Sequence, residues 1–226
     1  MERNLIPSKK QKTKTVQQDG WNSFWHNEYI QSIFDLFRRY NTFVDLNTLL
    51  KKHKHVDTFC ELGCGSSILL GEVAKTAKKV IAVDYSKEAL NKSNRFFKKN
   101  NIKNFKLIEA DVRDLNIKEK FDVVHSNGLI EHFEDPGKII DQHLRITKKN
   151  GYTIIAVPYI LLFKNMWYLI SRISFLSWIW PYPDQIFFSG KSLERDYLNY
   201  FSDKNWKYKI KLSLLTENVF LIVKKG

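Results

Sequence analysis

The sequence predicts an α/β fold, a doubly wound parallel sheet with helices on both faces. Three observations predict it. From Val56 to Val157, short runs rich in Val, Ile and Phe alternate with longer stretches of helical periodicity, the pattern of parallel strands joined by crossover helices. The first run, Val56 to Leu62, turns through Gly63-Cys64-Gly65 into a helix beginning near Ser66. The next run, Val80-Ile81-Ala82-Val83, ends on Asp84, about 20 residues on, where such folds place a ribose-binding carboxylate. Glycine at 63 and 65 opens backbone angles closed to other residues and lets a ligand lie against main chain. Two strand ends therefore converge on one ligand.

The elements follow in order. Residues 1–20 are polar and basic, with Lys9, Lys10, Lys12 and Lys14, and read as a flexible tail with little to bury. Residues 21–226 form the single domain. Trp21, Phe24, Trp25, Tyr29, Ile33, Phe34, Phe37 and Tyr40 recur at helical spacing and predict one or two amphipathic N-terminal helices. Ile68 to Thr76 is a short helix and Val80 to Asp84 the second strand. Ser86 caps a helix over Lys87 to Lys99, whose inner face carries Ala89, Leu90, Phe96 and Phe97. Phe105 to Ala110 is the third strand, delivering Asp111, and Phe121 to Ser126 the fourth. Asp135-Pro136 starts a helix expected to run to Lys149, with Gly151 where the chain leaves it. Tyr152 to Val157 is the fifth strand, and Trp206 to Leu214 with Glu217 to Lys224 read as two strands tightly joined.

Composition bounds the function. At 226 residues the chain can bury one full core. Lys+Arg number 37 against 24 Asp+Glu, a formal net charge of +13, which suits nucleic acid, anionic lipid or an acidic substrate. The excess of Lys over Arg, with abundant Asn and Ile, is equally the surface that an AT-rich genome imposes. Cys60 and Cys64 are the only cysteines, too few for a zinc site without a histidine cluster, and they read as buried, reduced thiols of a cytoplasmic protein. No continuous apolar segment opens the chain, so no signal peptide is expected.

The ligand does not read as a nicotinamide dinucleotide. That fingerprint requires a third glycine where this chain has Ile68, and Glu61, just ahead of the glycines, would repel a pyrophosphate. The same acid suits a ligand with an ammonium group and no phosphate, a description that S-adenosylmethionine meets. Glu61-x-Gly63-x-Gly65, Asp84, Ala110-Asp111-Val112 and Phe121-Asp122-Val123-Val124 resemble the successive motifs of class I S-adenosylmethionine-dependent methyltransferases. The likeness spans roughly residues 55 to 157. It implies a Rossmann-like, seven-stranded sheet ending in an antiparallel hairpin, with S-adenosyl-L-methionine as cofactor. It further implies that Glu61 holds the methionine ammonium and that Gly63, Cys64 and Gly65 line the ligand. Asp84 would then receive both ribose hydroxyls, a charge-assisted pair, and Tyr85 would lie on the adenine or shield the ribose. Asp111 resembles the residue that takes the adenine amino group, with Val112 against the ring; alternatively it caps the turn toward Leu115.

Chemistry is expected after the fourth strand, in His125-Ser126-Asn127-Gly128-Leu129-Ile130-Glu131-His132-Phe133. Methyl transfer needs an acceptor held in line and water excluded; a base is required when the acceptor is a hydroxyl. His132 has the side chain for that work and resembles the histidine of small-molecule methyltransferases of quinone biosynthesis. A structural role, orienting the Glu131 turn, is the alternative. Asn127 is expected to line the cofactor. Base-amine methylation brings an (Asp/Asn)-Pro-Pro-(Tyr/Phe) motif that His125-Ser126-Asn127-Gly128 does not match, and cytosine-carbon methylation requires a cysteine that this stretch lacks. RNA as substrate rests on net charge alone, and a non-catalytic binding protein is the other alternative.

Residues 159–190 form an apolar insertion after the fifth strand. Lys164, Asn165, Tyr168, Ser171 and Arg172 fall on one stripe of 159–180, predicting a helix with a broad apolar face. Lys164 and Arg172 inside the run count against a transmembrane span. The face is expected to be a lid over a small or lipid-linked acceptor, a peripheral membrane contact, or a surface packed on the domain itself or on a second copy as a homodimer.

Overall fold

The computed structural model describes residues 50, 56–133, 135–158, 206–212 and 218–226. The basic tail, the N-terminal helices and the insertion at 159–190 lie outside these residues.

The alternating pattern folds as expected. Strand β1 (Thr58–Leu62) leads through the glycine turn to α1 (Ile68–Val73), then β2 (Lys79–Asp84), α2 (Lys87–Lys99) and β3 (Phe105–Glu109). After β4 (Phe121–Asn127) come α3 (Pro136–Ile146), β5 (Thr147–Pro158), β6 (Lys207–Leu212) and β7 (Asn218–Lys224). They form one seven-stranded sheet in the order β3-β2-β1-β4-β5-β7-β6. The pairs β1–β2, β1–β4, β2–β3 and β4–β5 are parallel, and β7 runs antiparallel to both β5 and β6. The order reverses between β1 and β4, the crevice in which open parallel sheets hold ligands.

The central strands read as near-continuous apolar runs because both faces are covered. One core cluster joins Phe59, Val80, Val123 and Phe220 of the sheet to Leu70 of α1 and Phe97 of α2. The other joins Leu62, Ile81, Phe121, Ile155 and Leu221 to Ile140 and Leu144 of α3.

Capping residues act where the sequence places them. Ser86 Oγ accepts the Ala89 N–H at 3.3 Å, and Asp135 accepts the Lys138 N–H at 3.4 Å with Pro136 in the first turn. Helix α1 stops at Val73 rather than Thr76. Lys75 and Thr76 donate to carbonyls three residues back, the tightening that ends a helix. Asn104 Nδ2 caps it further, donating to Ala74 O and Ala77 O at 2.9 and 2.7 Å.

Helix α3 also ends early, at Ile146 rather than Lys149. Thr147 starts β5 instead, its Oγ1 donating to His143 O at 2.7 Å and lying 2.8 Å from Thr153 Oγ1. The pairing of β4 with β5 jumps from Phe121↔Thr147 to Val123↔Tyr152, a bulge containing Asn150 at φ 61°. Gly151 is therefore inside a strand and does not end a helix. A Cβ there would stand 2.9 Å from Asp122 O and 3.0 Å from Lys148 O, so close backbone approach explains the glycine. Asp122 anchors this corner, accepting from Thr58 N and Oγ1, both at 2.8 Å, and from Lys148 Nζ at 2.9 Å. Burial pushes its carboxyl up, but the hydrogen bonds from Lys148 and Thr58 outweigh that and leave it below the usual range.

Candidate functional site

The site grows from the turn after β1. Gly63, Gly65 and Ser67 all have positive φ, at 67°, 54° and 56°, and left-handed residues at every second position turn the chain sharply from strand into helix. Val83 O of β2 accepts both Gly63 N–H at 2.8 Å and Cys64 N–H at 3.0 Å. Asp84, the next residue, accepts Gly65 N–H on Oδ2 at 3.0 Å and Ser86 N–H on Oδ1 at 2.9 Å. Its carboxylate, 6% exposed, is thus fixed by the loop beside it. A carboxylate has about four lone-pair sites, so it can still accept ribose hydroxyls while held.

Ser93 completes the loop's support and was not singled out from the sequence. From the inner face of α2 its Oγ lies 2.8 Å from Gly65 O, 2.8 Å from Ser67 Oγ and 3.0 Å from Ala89 O. The Ser93 hydroxyl donates its proton toward these oxygens, Ser67 Oγ among them, and joins the turn to the helix. The signal was present: Ser93 falls midway between Ala89 and Phe97 at i, i+4, i+8, on a face otherwise apolar.

Gly63 has a further reason to be glycine. A Cβ on it would stand 2.7 Å from Leu129 Cδ1, so its bare face receives the loop that follows β4. Gly128, at φ 67°, turns that loop after donating its N–H to Ala156 O at 3.0 Å. His132 ends the short 3-10 turn Ile130–His132, half-buried, with its N–H on Leu129 O at 3.2 Å. Asn127, half-buried, is the last residue of β4. Packing of Leu129 on Gly63 therefore joins the His132 turn to the glycine loop.

Asp111 is tied to the same region by Ala110 N–H on Asp84 O at 3.0 Å. It caps the turn Val112–Asp114, accepting Arg113 N–H at 2.9 Å, and it forms a fork with the Arg113 guanidinium through Nε and Nη2 at 2.9 and 2.7 Å. The hydrogen bond to Asp111 raises the Arg113 pKa against the opposing effect of burial, with Asp111 and Tyr85 adding charge. The capping role considered for Asp111 is thus present in the structure. Val112 is buried and Tyr85 half-buried.

Glu61 and His125 sit at the switch point, as register partners on β1 and β4. Their side chains meet with Nδ1 3.2 Å from Oε1, in a site that leaves Glu61 4% and His125 0% exposed. Among the described residues Glu61 Oε2 and His125 Nε2 have no hydrogen-bond partner. Cys60 and Cys64 are buried free thiols. Burial, helped by the charges of Glu61 and Asp84 respectively, pushes both thiols well above their ordinary range, which keeps them protonated and unreactive. Among the described residues no group of three His, Cys, Asp or Glu could hold a metal ion. No helix among them is long and apolar enough to cross a membrane.

A family model described as a methyltransferase domain matches residues 53–174. A ubiquinone biosynthesis O-methyltransferase of Pelagibacter ubique is 27% identical over 120 residues, covering 53% of this chain and 49% of the relative. The chain thus spans about half the length of the curated relatives it matches. Among solved structures, magnesium protoporphyrin IX methyltransferase from Synechocystis PCC 6803, crystallised with SAH, superposes with a TM-score of 0.69 at 13% identity, over 95% of this chain and all of its own (100%). An S-adenosylmethionine-dependent methyltransferase from Clostridium acetobutylicum superposes with a TM-score of 0.63 at 17% identity, over 89% and 99%. At these identities the structural likeness is one of fold. With a family model over more than half its length, set on this strand order and glycine turn, the chain belongs to the class I S-adenosylmethionine-dependent methyltransferase family.

Proposed function

We propose that the protein transfers the methyl group of S-adenosyl-L-methionine to an oxygen of a small or lipid-linked acceptor. The observation that carries the cofactor assignment is the pair of buried acids, Glu61 and Asp84, at the ends of neighbouring strands beside the positive-φ turn. The residues fit the group. An oxygen of Glu61 without a partner among the described residues suits an ammonium. Asp84, fixed by two backbone amides, suits a ribose diol. A pyrophosphate would be repelled by Glu61, just ahead of the glycines.

When bound, S-adenosylmethionine supplies a methyl group on a cationic sulfur. The chain's own residues bind and orient. Glu61, Gly63, Cys64, Gly65, Asp84, Tyr85, Asp111, Val112 and Asn127 are the proposed cofactor contacts, and His132 the proposed base that takes the acceptor's proton. Oxygen as the accepting atom is supported by the likeness to the ubiquinone biosynthesis O-methyltransferase of Pelagibacter ubique. A lipid-linked acceptor is supported by the apolar sequence of 159–180, which would cover it or rest on a membrane surface.

Calorimetry tests the cofactor reading. S-adenosylmethionine and S-adenosylhomocysteine are expected to bind, and nicotinamide dinucleotides to give no heat; the reverse pattern would end it. A screen of phenolic and quinol acceptors with methyl-labelled cofactor then tests oxygen transfer, which fails if label appears on nitrogen or carbon acceptors alone. Liposome flotation of the full chain against a deletion of 159–180 tests membrane contact, and no flotation by either would remove it.

A further inference from the structure

The buried acid at the switch point has an unusual neighbour. Val123-Val124-His125-Ser126 runs through the middle of the sheet, where apolar side chains are the rule. His125 is the register partner of Glu61 on the adjacent parallel strand, so both side chains leave the same face of the sheet. That face is lined by Phe59, whose ring centroid is 6.0 Å from that of His125, and by Val123. Within this apolar layer, Glu61 Oε1 is 3.2 Å from His125 Nδ1, and Oε2 has no hydrogen-bond partner among the described residues.

We infer that His125 is a positioning residue for Glu61: its Nδ1–H fixes one carboxylate oxygen so that the other meets the ammonium of an amino-acid-bearing nucleoside. The inference rests on the cofactor reading above and adds to it a determinant of ligand selectivity. An apolar residue at 125 would leave a buried carboxylate with neither oxygen paired among the described residues and free to rotate. A Lys or Arg there would hold the acid but cancel its charge and compete with the ligand's ammonium. An imidazole turned with Nδ1 to Oε1 offers one hydrogen bond there and leaves the second carboxylate oxygen open. In the arrangement inferred here Nδ1 is the donor and Glu61 Oε1 the acceptor, 3.2 Å apart. The consequence is discrimination: a nucleoside that keeps its amino-acid tail gains from the arrangement, and one without the tail does not.

The test compares S-adenosylhomocysteine with 5′-methylthioadenosine, which lacks the ammonium and carboxylate. Calorimetry is run on the full chain as wild type, His125→Leu and His125→Asn. The leucine variant is expected to lose about tenfold in affinity for S-adenosylhomocysteine, about 1.4 kcal/mol, and under about twofold for 5′-methylthioadenosine. The asparagine variant, whose amide nitrogen can take the place of Nδ1, is expected to recover most of that loss. Equal weakening of both compounds by the leucine variant would reveal a general structural role and overturn the inference, as would unchanged S-adenosylhomocysteine affinity. Should the leucine variant fail to fold, His125→Gln replaces it. Its longer amide overshoots Oε1, so Asn retaining the preference while Gln loses it supports the inference, and identical behaviour overturns it. Wild-type protein that binds neither compound would overturn the cofactor reading itself, and the inference with it. Normal wild-type binding with an unaltered leucine profile overturns the inference alone.

Discussion

Asp84 Oδ2 receives the Gly65 N–H at 3.0 Å, so the acid at the end of β2 and the second glycine of the turn after β1 are one unit. A ligand held by Asp84 meets a loop already in place, which lowers the ordering cost of binding. Replacement of Asp84 by Ala therefore has two expected effects. Two backbone donors, on Gly65 and Ser86, lose a charged acceptor, costing about 2–4 kcal/mol in urea unfolding. S-adenosylhomocysteine binding is lost as well. Asp84→Asn keeps one acceptor oxygen, so it should be the more stable of the two and still bind at least about tenfold more weakly than wild type. Wild-type affinity in the asparagine variant would show that the charge has no part in binding.

Gly71 in α1 is a case in which helix propensity and packing oppose each other. Alanine would gain about 1 kcal/mol in propensity, but its Cβ would stand 2.4 and 2.8 Å from the Phe96 ring. Overpacking of that kind costs about 1–3 kcal/mol, so Gly71→Ala is expected to lower stability. In a Phe96→Leu background the same change should become neutral or stabilising. A double-mutant cycle in denaturant measures the coupling; strict additivity would exclude the ring as the cause.

His143 supplies a pH dependence. It is fully buried on α3 with Nδ1 2.7 Å from Ile139 O. Burial is the main cause that lowers its pKa to about 4, against the raising effect of that hydrogen bond and with a small lowering by His125. Between that value and the ordinary 6.5 the unfolded chain binds a proton that the folded chain refuses, so stability falls as pH drops through this window. The contribution is about 3 kcal/mol. His143→Leu should flatten urea-derived stability between pH 7 and pH 5, and an unchanged slope would assign the dependence elsewhere.

His132 is expected to act on turnover and not on cofactor binding. With an oxygen acceptor in hand, His132→Ala should lower kcat roughly 100-fold and leave S-adenosylhomocysteine affinity within about twofold. An unaltered rate would leave His132 a structural part of the turn that Leu129 packs against Gly63.

The existence of the parallel strands was legible because Val56 to Val157 alternates periods cleanly, and the start of α2 followed from Ser86, whereas the terminal antiparallel hairpin came from the family resemblance. Gly151 misled because a glycine after a helical run resembles a helix end, whereas backbone approach from Asp122 and Lys148 is a tertiary fact that no local window contains. The convergence of Glu61, the glycine turn and Asp84 was readable from strand ends. The Glu61–His125 contact was not, because it depends on which residues of β1 and β4 lie side by side, and register is set by the whole sheet.

Strand β7 pairs with β5 on one side and β6 on the other, yet residues 159–217 separate it from β5 along the chain. While a ribosome is still delivering that stretch, Ile154, Ile155, Ala156 and Val157 present an unzipped apolar margin, the kind of surface on which nascent chains stick to one another. Chaperone demand during synthesis should therefore peak after the parallel half has collapsed and fall only when Val219 to Val223 emerge.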